Sequence, residues 1–405
     1  MVGCTKAKVV DKGAEVVEEA KEKAETKVPK YKVTLEDGTY DSSGFAYYVY
    51  GTLTNNKKDV DYIQILIPVY DKNGNKLGDA MANCNNLKKG ETWRFKAMAF
   101  LRFLEGLRTP VGDAFFSVVT HLGEETFFIL LGLIFFWCVN KKEGYYLLSI
   151  GFIGTVLNQF LKLFFRIPRP WVKDESFTIV ESARAEATGY SFPSGHTQSS
   201  VGIFGGLARW NKNKILRIVC IIICVMVPIS RMYLGVHTPL DVGVSVAIAL
   251  ILIFGLYPIV QKATENKKAM RILLGSMVAL SLGLLVFVSL YSFPSDVDTE
   301  NLANGTKNAY KMLGCTLGIF IAFEVDNRFI NFDTKASFAA QCLKLVVGLI
   351  PLLLIKEGLR APLSLLFSGS YIANGLRYFL IVVFAGCVWP LTFKWFSKLF
   401  VKVSV

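Results

Sequence analysis

The sequence predicts an all-α polytopic membrane helix bundle with a small β-sandwich domain ahead of it. Three observations lead there. The 405-residue chain is 52% hydrophobic with a mean hydropathy of +0.41, the profile of a membrane protein. Nine apolar runs succeed one another between about Thr126 and Pro390. Before them, from Tyr31 to about Lys96, apolar residues alternate with polar ones, a strand pattern. The formal net charge of +13 sits in short segments between apolar runs, which marks membrane orientation, and no nucleic-acid motif accompanies it. Eight cysteines show no metal-ligand or disulfide spacing; Cys220 and Cys224, one helical turn apart, read as small packing residues.

Four regions follow in order. Residues 1–29 alternate Lys and Glu and are expected to form a charged tether, a solvated helix or flexible segment. Met1-Val2-Gly3-Cys4 has the form of the end of a bacterial lipoprotein cleavage box; with no hydrophobic stretch ahead of it, either the start is truncated or the match is accidental, and accident is slightly favoured because four residues carry little weight. Residues 30–97 form the β domain, with Tyr47–Leu53 and Tyr62–Tyr70 as strands and turns at Asn55-Asn56 and Lys72–Asn75. Val69-Tyr70-Asp71, Asn73-Gly74 and Gly90-Glu91-Thr92 make this stretch resemble the small FxLYD sandwich domains found outside bacterial cells. It holds no catalytic constellation.

Residues 98–292 are expected to form a transmembrane core and residues 293–405 additional transmembrane helices. Ala97–Gly123 is apolar but broken by Arg102, Glu105, Arg108 and Asp113, which suits interfacial helices, and His121 within it reads as structural. Nine spans are expected from Thr126–Val139, Tyr145–Phe165, Thr197–Leu207, Ile215–Ile229, Leu240–Val260, Ile272–Leu290, Met312–Phe323, Ser337–Ile355 and Tyr371–Pro390. Several fall short of the roughly 20 residues a span needs, so their ends must extend into polar flanks. Gly202, Gly205 and Gly206 should make one helix slim enough for close packing. Glu324, Asp326 and Asp333 read as solvated loop residues.

Three polar clusters interrupt this apolar background. Lys162–Pro170 reads Lys-Leu-Phe-Phe-Arg-Ile-Pro-Arg-Pro, Pro193–His196 reads Pro-Ser-Gly-His, and Ser230–Asp241 reads Ser-Arg-Met-Tyr-Leu-Gly-Val-His-Thr-Pro-Leu-Asp. Thr238 can cap the helix that Pro239 begins, and Asp241, three residues on, can reach back past its start towards His237. A carboxylate on one imidazole nitrogen fixes the tautomer and leaves the other nitrogen free as base or nucleophile. Lys162, Arg169 and Arg231 are cations suited to phosphate oxygens, and Ser194 with the Gly195 amide opens a helix whose unpaired N–H groups favour an anion. Singly, each cluster could be a capped helix end or a headgroup-level cation; Arg166, outside the pattern, reads as a snorkelling cation only.

Together the clusters resemble the tripartite signature of the type 2 phosphatidic acid phosphatase superfamily: Lys, six residues, Arg-Pro; Pro-Ser-Gly-His; Ser-Arg, five residues, His, three residues, Asp. The resemblance implies a metal-independent lipid phosphate or diphosphate phosphatase without cofactor. Its nucleophile would be His237 oriented by Asp241, with His196 as acid and Lys162, Arg169, Ser194, Gly195 and Arg231 around the phosphate. Undecaprenyl diphosphate and phosphatidylglycerol phosphate are the substrates bacterial members often take. Two alternatives remain: a phosphotransferase using the same site, and a non-enzymatic envelope-binding protein.

Orientation follows from charge. Asn140–Gly144, Arg209–Arg217 and Gln261–Arg271 carry the lysines and arginines of one side, which by the positive-inside rule is cytoplasmic. The motifs lie at the opposite helix ends, so the active site and the β domain are expected to be extracytoplasmic, in a multi-pass cell-membrane protein. Two runs precede the first motif where the family usually has three. The loop Trp171–Ser191 is expected to cover the site.

Overall fold

The computed structural model describes residues 8–11, 29–36, 39–40, 47–70, 76–98, 100–173, 177–295 and 297–399. Cys4, the Lys72–Asn75 turn, Asp174 and Glu175 lie outside the described residues. The chain divides into two compact units. Met1–Ser117, Pro168–Glu186 and Ser230–Gly243 make the first; Val118–Ile167, Ala187–Ile229 and Val244–Val405 make the second.

The first unit holds an antiparallel sheet of seven strands: β1 (Lys8–Asp11), β2 (Tyr31–Leu35), β3 (Thr39–Tyr40), β4 (Tyr47–Asn55), β5 (Val60–Tyr70), β6 (Lys76–Leu87) and β7 (Thr92–Met98). Their order is β1-β5-β6-β7-β4-β2, with β3 on β4. Alternation places Val49 and Leu53 of β4, Ile63, Ile65 and Ile67 of β5, and Phe95 of β7 in one buried core. Each such side chain contributes about 1.5–3 kcal/mol on burial. Asn55 makes the β4–β5 turn: its amide donates to the carbonyls of Lys58 (2.8 Å) and Leu87 (3.0 Å), and its oxygen accepts from the Lys57 N–H. Within the expected tether, Lys8–Asp11 is instead a strand paired with Ile63–Leu66, because β5 otherwise ends the sheet with an open edge that Val9 and Val10 suit.

Helices α1 (Phe100–Gly106) and α2 (Pro110–Thr120) follow the sheet. A short helix, α5 (Pro170–Lys173), opens the loop that precedes Pro-Ser-Gly-His. Leu101, Phe177 and Ile179 bury one another with Trp171 and Met232 against them. Glu105 and Arg108 bind backbone here. The Arg108 guanidinium donates to the carbonyls of Tyr233 and Thr178, both at 2.8 Å, and the Glu105 carboxylate accepts from the Thr178 N–H at 2.9 Å.

The second unit is a helix bundle. It comprises α3 (Glu125–Ile134, continued by a π-turn Phe135–Val139), α4 (Lys141–Phe165), α6 (Gly195–Trp210), α7 (Lys214–Tyr233), α8 (Pro239–Glu265), α9 (Lys267–Leu290), α10 (Thr299–Val325), α11 (Phe338–Gly358), α12 (Arg360–Leu366), α13 (Ile372–Val383) and α14 (Phe393–Phe396), with the end of α7 and the start of α8 in the first unit. Helix starts are capped as their sequences dictate. Asn140, Asn266, Asp298 and Ser337 accept from the first-turn amides of α4, α9, α10 and α11. A Cβ on Gly202 or Gly206 would come within 2.9 Å of Ile150 or Leu147, so these glycines let α6 lie close against α4.

All nine expected runs fall within helices, but fewer qualify as spans. Among the described residues, six helices are long and apolar enough to cross a membrane, or seven if Pro110–Gly123 and Glu125–Val139, bent by 50°, form one span. The third run lies in α6, whose 16 residues reach about 24 Å, short of a bilayer core. The seventh lies in α10, which is long enough at 27 residues but polar over its first turns. Asp326 is not a solvated residue: it is 4% exposed, pairs with Lys141 and accepts from the Phe332 N–H at 3.1 Å. Glu324 accepts from Arg271, at 2.5 and 3.1 Å, while Asp333 is exposed as expected.

Candidate active site

The Ser230–Asp241 segment is built from two helix ends. Helix α7 stops in a Schellman motif: Gly235, at φ +83°, donates to the Met232 carbonyl, and Val236 donates to the Arg231 carbonyl at 3.1 Å. A residue with a side chain is strained at that φ, and its Cβ would meet Arg108 Nη2 at 2.5 Å. The His237 N–H also donates to the Arg231 carbonyl, at 3.3 Å, so the turn itself sets the five-residue interval between Arg and His. Helix α8 then starts in a capping box. The Asp241 N–H donates to Thr238 Oγ1 at 3.3 Å, and Asp241 Oδ2 accepts from the Thr238 N–H at 2.8 Å.

From that position Asp241 Oδ2 faces His237 Nδ1 at 3.4 Å. On the other side of the ring, Arg169 Nη1 lies 2.9 Å from His237 Nε2 and donates to the Val236 carbonyl at the same distance. A guanidinium can only donate, so Nε2 is the acceptor and Nδ1 carries the proton towards Asp241. His237 and Asp241 are each 1% exposed and Arg231 is fully buried. Burial first, and the Arg169 cation second, push the His237 pKa well below the ordinary imidazole value; Asp241 pulls the other way and is outweighed. His237 is thus a neutral imidazole with an electron pair at Nε2, beside a fixed cation.

The Trp171–Ser191 loop is tied to this segment within the first unit, where the Val180 N–H donates to the Leu234 carbonyl at 3.1 Å. Arg169 and Arg184 both lie against the Trp171 ring, at 5.8 and 5.5 Å. Trp171, Glu105 and Arg108 were not identifiable as part of this arrangement from sequence; an aromatic after Arg-Pro and charges on an apolar helix were the available signals.

The remaining predicted residues lie in the second unit. Ser194 caps α6, its Oγ accepting from the Thr197 N–H at 3.4 Å, so Gly195 and His196 occupy the first turn, where backbone N–H groups lack helical partners. Asn158 and Lys162, one turn apart on α4, hold the segment leading into that helix. Asn158 donates to the Pro193 carbonyl at 3.3 Å and Lys162 to that of Tyr190. Lys162 and Ser194 are buried and His196 half-buried. Lys162 also borders a small polar cavity with Gln159 and with Asn301, Asn304 and Asn308 of α10. Those amides and Asn158 were not legible as site residues, because single Asn residues on apolar helices carry no spacing signal.

Two residues outside the pattern have definite roles. Arg166 takes the left-handed conformation that ends α4, at φ 50°, and donates to the Leu163 carbonyl at 3.1 Å, so it caps a helix and does more than snorkel. His121 is exposed and pairs with Glu124, a structural contact.

Residues 143–265 match the PAP2 superfamily, and residues 310–400 match the PAP2 superfamily phosphatase transmembrane extension. Phosphatidylglycerophosphatase B of Bacillus subtilis (strain 168) is 28% identical over 161 residues, 36% of this chain and 75% of that protein. The probable sphingosine-1-phosphate phosphatase of Dictyostelium discoideum is 31% identical over 37% of this chain and 39% of its own length. Undecaprenyl-diphosphatase BcrC of Bacillus subtilis (strain 168) is 31% identical over 28% of this chain. The chain spans 56% of BcrC, so it covers less than two thirds of both of these last two relatives. The crystal structure of Aquifex aeolicus LpxE matches 38% of the chain at 25% identity with a TM-score of 0.31. The protein is a multi-pass membrane protein that carries a PAP2 superfamily domain followed by the PAP2 superfamily phosphatase transmembrane extension.

Proposed function

We propose that this protein is a membrane phosphatase that hydrolyses lipid phosphates or diphosphates at the extracytoplasmic face through a phosphohistidine. The observation that carries the reading is His237, neutral and buried, with Nδ1 towards Asp241 and Nε2 accepting from Arg169. In the proposed cycle Arg169 exchanges its bond to Nε2 for one to a phosphate oxygen, the freed Nε2 electron pair attacks phosphorus, the bond to the leaving oxygen breaks, and His196 gives that oxygen its proton. Water then attacks the phosphohistidine, its proton passes to His196, and His237 leaves with its electron pair restored. Arg169, Arg231 and Lys162 match the charge that spreads over the equatorial oxygens, with Ser194 and the Gly195 amide as donors. These protein cations supply the charge a metal would otherwise provide, so activity is expected to survive chelators and to be blocked by vanadate.

Phosphatidylglycerol phosphate and undecaprenyl diphosphate are the first substrates to try, because relatives named for such activities match part of this chain. The experiment is inorganic phosphate release by the purified full-length protein over a panel of polyprenyl diphosphates, phosphatidate and phosphatidylglycerol phosphate. Release from at least one, lost in His237→Ala, is expected. Dephosphorylation of the lipid only when an acceptor alcohol is added, with the phosphoryl group found on that alcohol, would replace hydrolysis with group transfer, and no dephosphorylation at all would replace it with binding.

A further inference from the structure

Within the second unit, α3, α4, α10, α11 and α13 enclose an apolar cavity of about 390 Å³, a size that holds a ligand. Its walls change character along their length. Glu125, Cys315, Lys356 and Tyr378 stand at one end, and Phe136, Ala322, Ala385 and Gly386 close the other. From Glu125 to Phe136 the helix rise gives a depth of about 16 Å. Leu353 lines the cavity yet is 57% exposed, beside Ile350 and Leu354 at 54% and 67% on the same apolar face of α11, so the cavity opens sideways towards hydrocarbon.

The polar end is basic. Lys311, one turn before Cys315, stands 5.2 Å from the Tyr378 ring, and Arg377 stands 5.7 Å from it. Arg377 also donates to the Lys356 carbonyl at 3.2 Å, and Lys307 is close enough to Lys311 to repel it. Against these four cations stand the carboxylates of Glu125 and Glu357, the latter 3.6 Å from Lys356 Nζ. An excess of positive charge above a deep hydrocarbon-lined cavity is complementary to one class of membrane molecule.

We infer that this cavity binds one acyl chain of an anionic membrane lipid, with the headgroup at Lys311, Lys356 and Arg377. The site belongs to the transmembrane extension and to α3 and α4, and uses none of the proposed catalytic residues. An apolar cavity of this size gains nothing from water, which would find few polar partners inside, whereas a chain entering past Leu353 fills it.

The test is photo-crosslinking of the full-length protein in phosphatidylcholine vesicles doped with phosphatidylglycerol that carries a diazirine in one acyl chain. Adducts are expected on buried lining residues such as Leu133 and Ile319, besides those on outward positions such as Ile350. The same diazirine chain on a phosphatidylcholine probe should label the buried positions at least several-fold less. Lys356→Glu and Leu133→Trp should each lower buried-site labelling by phosphatidylglycerol several-fold while outward labelling persists. Adducts confined to outward residues in the unmodified protein would overturn the site. Equal labelling of buried residues by the two headgroups would overturn its anionic selectivity; both readouts need no variant.

Discussion

His237 combines two properties that support each other: it is neutral, and it stands against a cation that favours the neutral form. Burial and Arg169 lower its pKa from the ordinary value of about 6.5. Above that pH both native and unfolded chains hold the ring neutral, and the stability linked to it is fully present. As pH falls below about 6.5 only the unfolded chain takes up the proton, so stability declines until the lowered native pKa is reached. The acid limb of kcat/KM that His237 sets should accordingly lie below pH 6.5; a limb at or above it, measured with a soluble lipid phosphate, would contradict the assignment. Asp241→Asn keeps the shape of the capping box but removes the charge behind Nδ1, and should lower kcat about 10²–10⁴-fold in a phosphate-release assay. If activity stays within about two-fold, the carboxylate serves only the helix start.

At the scale of the element, the catalytic spacing is a property of how α7 ends and α8 begins. Gly235→Ala places a side chain at φ +83° and should destabilise by about 1–2 kcal/mol. Thr238→Ala removes one cap bond, for about 1 kcal/mol. Thermal unfolding in detergent should rank Gly235→Ala at or below Thr238→Ala, and the reverse order would remove the Schellman turn from the account. The capping box was legible because Thr, Pro and Asp fall at fixed offsets from a helix start. The α7 stop was less so, since a lone Gly after an apolar run also fits an ordinary turn. Asp326 was misread for a related reason: a loop carboxylate looks solvated until its partner is known, and Lys141 lies 185 residues away in sequence. Asp326→Ala, which strands Lys141, should cost about 3 kcal/mol, well above a surface substitution such as Asp333→Ala.

At the scale of the whole molecule, apolar runs located the helices, but composition alone did not separate spanning helices from short or polar ones. Alternation in residues 30–97 foretold the strands, while β1 within the charged segment was hidden because four residues carry too little pattern. The proposed sidedness has its own check. In a background without native cysteines, Lys89→Cys in the β6–β7 turn should react with an impermeant thiol reagent in intact cells, and Lys212→Cys, between α6 and α7, should react only after lysis. The opposite pattern would turn the protein over. The proposal as a whole stands on a covalent bond between His237 and phosphorus. A rapid acid-free quench of the purified protein with a lipid substrate radiolabelled at the phosphoryl group tests it most directly. An acid-labile, alkali-stable label on the peptide that contains His237, present in His196→Ala with a good leaving group and absent in His237→Ala, is the predicted result. Sustained turnover in the His237→Ala protein, or a label that survives that substitution, would contradict it.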